Sequence, residues 1–215
     1  MKHADLIGRL RPEQPERKKE VLRARNLRLE RLLQDFVGYQ LSFQRYTEDY
    51  DTEPAYKKAA KIVTYPFGAD DVQQFIIANP KPIEPLEEFE YNKRRGVFVS
   101  LLMNRCDQRK YSLFGLQEYD LIGAHFGKEG SRHVIIKGDV DTSCGEGMVG
   151  GKLEITGNAS HYLGAYMKEG TIIVHGDGGT DVGHMSKGGI IKIKGTWDWG
   201  EECQAQVNDE EPYED

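Results

Sequence analysis

Apolar and polar positions recur through the last third of the chain with a fixed step of nineteen residues. Val134, Leu153, Ile172 and Ile191 form one apolar column, and Ile136, Ile155, Val174 and Ile193 form a second, two positions on. Within a unit such as Lys152-Leu153-Glu154-Ile155-Thr156 the character alternates, so a strand turns Leu153 and Ile155 to one face and Glu154 and Thr156 to the other. So short a strand is not stable alone. Stacked on its neighbours about 4.8 Å away, it pairs its backbone on both sides and closes a continuous apolar column. The period predicts stacked coils, a β-solenoid.

Glycines keep the same step in three registers: Gly138, Gly157, Gly176 and Gly195; Gly145, Gly164 and Gly183; Gly151, Gly170 and Gly189. They are expected at corners, where a residue without Cβ takes positive φ or close backbone approach at little cost. Asp139, Asn158 and Asp177 follow the first register and are expected to bond to turn amides locally. Cys144, Leu163 and Val182, with Met148 and Met167, are expected to fill the coil, Ser186 taking the methionine place in the next repeat. Ile122-Gly123-Ala124-His125-Phe126 echoes Leu163-Gly164-Ala165-Tyr166-Met167 and predicts an irregular opening coil. Thr196-Trp197-Asp198-Trp199 reads as a closing cap.

Upstream the period is helical. A helix is predicted from Pro15 to about Arg45, with Leu22, Leu29, Leu32, Leu33, Phe36 and Val37 on one stripe. Helices follow at Glu53–Val63 and at Asp70–Ala78, the second opened by an aspartate cap. Pro80, Pro82 and Pro85 form a stiff connector. Leu86–Arg95 reads as helical, and Gly96–Cys106 as a helix or a buried strand, the helix favoured because Val97, Phe98, Leu101 and Leu102 share a face. Tyr111–Phe114 reads as a strand entering the solenoid. The region is expected to cover the solenoid end, whose backbone groups are otherwise unpaired.

Composition sharpens the division. Nineteen of the 24 glycines lie between Gly123 and Gly200, which sets the boundaries at a helical region 1–114, coils 115–200 and an acidic tail 201–215. The formal net charge of −6 argues against general nucleic-acid binding. The basic helix Arg17–Arg31 points the other way, as a docking helix for an acidic partner or a nucleic acid, or it is simply a solvated face. The three separated cysteines, Cys106, Cys144 and Cys203, argue against a disulfide scaffold. Without an apolar run of membrane length, a cytoplasmic location is expected.

Candidate chemistry is thin. Gly145-Glu146-Gly147-Met148-Val149-Gly150 has the glycine spacing of a dinucleotide loop, but a strand rather than a helix is expected after it, so no nucleotide and no cofactor is expected. His161, His175 and His184 are the candidates for a metal site, against their reading as surface positions on different columns. Cys144 shares a column with Leu163 and Val182, as an inert core thiol would. The outward row Ile135, Glu154, Ile173 and Lys192 mixes apolar and charged residues, either as an interaction face or with Ile173 beneath the helices.

The unit Gly157–Gly176 and its neighbours resemble the GXGXG-type right-handed β-helix, the module found in the large chain of glutamate synthase and in one component of formylmethanofuran dehydrogenase. The resemblance implies a structural rather than catalytic role. The expected fold is therefore α+β, a helical region capping a short right-handed parallel β-helix with 19-residue coils. The expected function is a non-catalytic scaffold or protein-interaction subunit with protein partners or self-association. The alternatives are an accessory or regulatory subunit of one of those two kinds of enzyme, and a small metal-binding protein or enzyme.

Overall fold

The structure, a computed structural model, describes residues 15–43, 52–83 and 87–208. Among these residues four helices, α1 (Pro15–Leu41), α2 (Thr52–Ile62), α3 (Ala69–Ala78) and α4 (Glu88–Arg105), precede eight strands. These are β1 (Lys110–Phe114), β2 (His133–Lys137), β3 (Val149–Ile155), β4 (Glu169–Val174), β5 (Gly179–Val182), β6 (Ile190–Ile193), β7 (Trp197–Trp199) and β8 (Gln206–Val207). The fold is α+β, and the strands build a parallel solenoid of about five turns.

The nineteen-residue columns are the register. Leu153 pairs with Val134 on one side and Ile172 on the other, and Ile172 pairs with Ile191. The six-stranded sheet runs β1-β2-β3-β4-β6-β8, and β5 and β7 form a second, smaller one. Both apolar columns are buried, with Cys144, Leu163, Val182, Met148, Met167 and Ser186 between the walls. The opening coil, from Tyr111 to its partner Val134, is longer than the rest.

Several expectations need adjusting. β1 is the strand expected at Tyr111–Phe114, and strand pairing continues past Gly195 to β8. Trp197–Trp199 is a rung paired to β5 rather than a cap. Asp139, Asn158 and Asp177 do not serve their own turns: each Oδ1 accepts from an amide one coil further, those of Asn158, Asp177 and Thr196. Gly138, Gly145, Gly151, Gly164, Gly170, Gly183 and Gly189 have left-handed φ, but Gly157, Gly176 and Gly195 do not. A side chain on those three would collide with the Asp139, Asn158 and Asp177 oxygens. The tail Asp209–Asp215, Pro85 and Leu86 lie outside the described residues.

Opposite the sheet, the turns form a ladder that glycine counting does not foresee. Leu121, Ser143, Tyr162 and Asp181 stack in one column and His125, Gly147, Tyr166 and Met185 in another, all with φ between 50 and 61. Their amides donate to the next coil, as His125 does to Glu146 and Tyr166 to His184, both at 2.8 Å. Glycines between them, such as Gly145 and Gly164, donate back to the preceding coil. Every rung is thus tied in both directions, which offsets the cost of left-handed backbone at bulky residues.

The helices share an aromatic core. Phe36 meets Phe75 and Phe98 edge-on at 5.4 and 5.1 Å, and Tyr39 lies 5.3 Å from Phe98. The buried stripe of α1 runs through Leu32, Phe36 and Tyr39, while Leu22 and Val37, placed on it by the sequence, are exposed. Helix α3 starts after Gly68 rather than from an aspartate cap, and the Gly68 amide donates to Asp71 Oδ2 at 3.0 Å. The two expected helices around Arg95 are one, α4.

The cap meets the solenoid through small and polar residues spaced by four on α4. Gly96 lies so close to the Asp120 carbonyl that no Cβ fits. Ser100 Oγ donates to the Leu121 carbonyl at 2.8 Å and accepts from the Ala124 amide at 3.2 Å. Asn104 donates to the His125 carbonyl and accepts from the Gly127 amide. On the free edge of β1, the Gln73 amide both donates to and accepts from the Phe114 backbone. The outermost coil is covered, as an open sheet edge requires.

Candidate functional site

The described helices pack on β1 and the opening turn, and beyond β1 the outward residues of the large sheet are half-buried or exposed. Register aligns two outward rows, Lys110, His133, Lys152, Thr171, Ile190 and Ser112, Ile135, Glu154, Ile173, Lys192; a third starts at Phe114 and Lys137 and continues through Thr156, His175 and Lys194, whose amides each donate to a carbonyl of the preceding coil. Glu154 is the one carboxylate in these rows. It receives His133 Nε2 at 2.9 Å, Lys152 Nζ at 3.2 Å and His175 Nε2 at 3.2 Å. The hydrogen bond from His133 is the main cause that holds its carboxyl down at about 2. Ile135 and Ile173 lie half-buried on either side of it.

The three candidate histidines have different surroundings. His175 is on the sheet face between Glu154 and Lys194 Nζ. His161 contacts Thr180 Oγ1 at 2.8 Å, and His184 sits edge-on between Tyr162 and Tyr166. Among the described residues no group of three or more His, Cys, Asp or Glu side chains is placed to hold a metal ion. Burial pushes the Cys144 thiol up to about 12 and the Cys106 thiol up to about 11, so neither is a ready thiolate. The glycines at 145–150 run into β3, which begins at Val149, not into a helix amino terminus.

The basic half of α1 is partly occupied within the cap. Arg28 Nε lies within 3.0 Å of both Asp71 carboxylate oxygens, Arg25 pairs with Asp70 at 2.9 Å, and Arg31 stacks on Tyr65. The side chains of Arg17, Lys18 and Lys19 lie outside the described residues. No described helix is long and apolar enough to cross a membrane.

One site was missed by the sequence. A cleft of about 770 Å³ opens where α2 meets the turn wall, lined by residues that include Glu53, His125, Lys128, Glu146, Gly147, Tyr166 and Lys168. Thr52 Oγ1 donates to Glu146 Oε1 at 3.0 Å, so its lone pair faces His125 Nε2 at 2.9 Å, which then carries the proton. His125 Nδ1 is 3.5 Å from Glu53 Oε2. Lys128 Nζ, 2.6 Å from Glu53 Oε1, is the main cause that lowers the Glu53 carboxyl to about 2.

No protein-family model matches the chain, and neither does any curated protein or solved structure. The β-helix is thus established by geometry alone.

Proposed function

We propose that this chain is a non-catalytic scaffold that docks an acidic protein partner on the outer face of its large sheet. The observation that carries the reading is the charge of that face. Five lysines (Lys110, Lys137, Lys152, Lys192, Lys194) and two histidines surround one carboxylate in a chain of net charge −6. Rungs about 4.8 Å apart hold the cations in a flat array, and Ile135 and Ile173 add apolar contact between the rows. The resemblance to GXGXG-type β-helices supports a finer reading, an accessory subunit of a glutamate-synthase-like or formyl-transfer enzyme in the cytoplasm. Adjacent genes for the catalytic modules would test that version.

The docking surface is tested with a fluorescent ten-residue glutamate-rich peptide, followed by anisotropy at low and at high salt. Saturable, salt-sensitive binding is expected, weakened at least tenfold by Lys152→Glu with Lys194→Glu. No saturable binding overturns the reading. Tighter binding of a single-stranded oligonucleotide of equal length replaces the protein partner with a nucleic acid.

A further inference from the structure

The column His125, Gly147, Tyr166, Met185 contains one glycine among three large side chains. All four take the same left-handed conformation, with φ of 55, 60, 55 and 50. The backbone therefore does not demand glycine at 147, since a histidine, a tyrosine and a methionine adopt that geometry in the neighbouring coils. What Gly147 supplies is space. A Cβ there would approach His125 Nδ1 to 3.0 Å, and a larger side chain would fill the floor of the cleft.

The polar groups around this gap divide unevenly. Glu53 is engaged by Lys128, Lys57 and His125, and Glu146 by Thr52, so the carboxylates are occupied within the protein. Among the described residues, exposed Lys168 has no ion-pair partner and the Tyr166 hydroxyl has no hydrogen-bond partner. The groups left over are an ammonium and a hydroxyl, both able to donate. The volume falls within the roughly 300–1,000 Å³ of small-ligand pockets, and a junction between two structural units is a frequent place for one.

We infer that the cleft over Gly147 binds a small anion bearing a carboxylate or phosphate group, held by Lys168 and Tyr166. The anion accepts from Lys168 Nζ and Tyr166 Oη, while the ion pair of Lys128 with Glu53 forms the side wall. This site lies on the turn wall, away from the lysine rows of the sheet, and is independent of the docking function.

The test is amide chemical-shift mapping during titration with acetate and, separately, with inorganic phosphate, ionic strength held constant with sodium chloride. Saturable shifts are expected at Gly147, Tyr166 and Lys168. Lys168→Met keeps the stem without the charge and should weaken binding at least fivefold, and Tyr166→Phe should weaken it about twofold. Lys187→Met, the exposed lysine one coil further on, should change nothing. The tighter of the two probes names the ligand class. Absence of saturation at Gly147, unchanged affinity in Lys168→Met, or shifts confined to Lys152 and Lys194 overturns the site.

Discussion

The cap and the solenoid solve the same problem by opposite means. The cap collects unlike aromatic residues from distant helices, Phe36, Phe75 and Phe98, into one cluster in which each ring touches several others. The solenoid repeats one contact, Val134 on Leu153, Leu153 on Ile172, Ile172 on Ile191, so each coil depends on its two neighbours. A cluster is lost as a whole, whereas a ladder can fray from an end. The α4 stripe Gly96, Ser100 and Asn104, which satisfies the backbone of the opening turn, is a main part of their coupling, beside the bonds of Gln73 to Phe114 and of Thr52 to Glu146.

The largest expected effect follows from breaking that join. Gly96→Val forces a branched side chain into the Asp120 carbonyl, a backbone atom that cannot swing aside. A loss of about 3 kcal/mol is expected. Both tryptophans, Trp197 and Trp199, lie near the far end of the solenoid, so their fluorescence reports that end while far-UV circular dichroism reports the helices. In denaturant the wild type should show coincident transitions, and the variant should show two. Coincident transitions at unchanged stability in Gly96→Val would contradict the coupling.

A smaller effect is expected inside the ladder, where Gly164→Val tests the corner itself. Gly164 has φ +67, and a Cβ would stand 2.8 Å from Ile191 Cδ1, the mobile end of a side chain. Backbone strain therefore dominates, at about 1–3 kcal/mol. Thermal unfolding should show the loss with the two probes still coincident, since the cap is untouched. Unchanged thermal stability would remove the corner assignment.

The solenoid was legible because one period of nineteen fixes strand, register and core together, as Leu153 and Ile172 show. The cap has no such redundancy. On α1, Leu22 and Val37 satisfy the helical stripe, yet both are exposed, so pattern alone placed them wrongly. The cleft escaped for a different reason. The opening coil has an irregular step, so His125 does not fall into a column with Gly147 and Tyr166 by counting nineteens. The echo of Ile122–Phe126 in Leu163–Met167 was the usable signal, since it aligns His125 with Tyr166 and exposes Gly147 as the gap between them. The contribution of Thr52 and Glu53 depends on how α2 docks, which no local pattern encodes.

The smallest effect concerns the face that the two regions do not share. Glu154 holds its carboxyl at about 2 against an ordinary 4.5, chiefly through His133. A lowered folded-state value means that the carboxylate stabilises the fold above about pH 4.5 and that the contribution disappears as pH falls toward 2. The group is partly solvated, so its contribution at neutral pH is at most about 1 kcal/mol. Glu154→Gln should therefore be slightly less stable than the wild type near neutral pH and equal to it once the pH approaches about 2, measured by urea denaturation across that range. The glutamine should also tighten the acidic peptide, because it removes the only negative charge from the lysine rows. A gap that stays constant with pH would mean that Glu154 acts by packing, and the charge of the sheet face would then carry less of its stability than its geometry does.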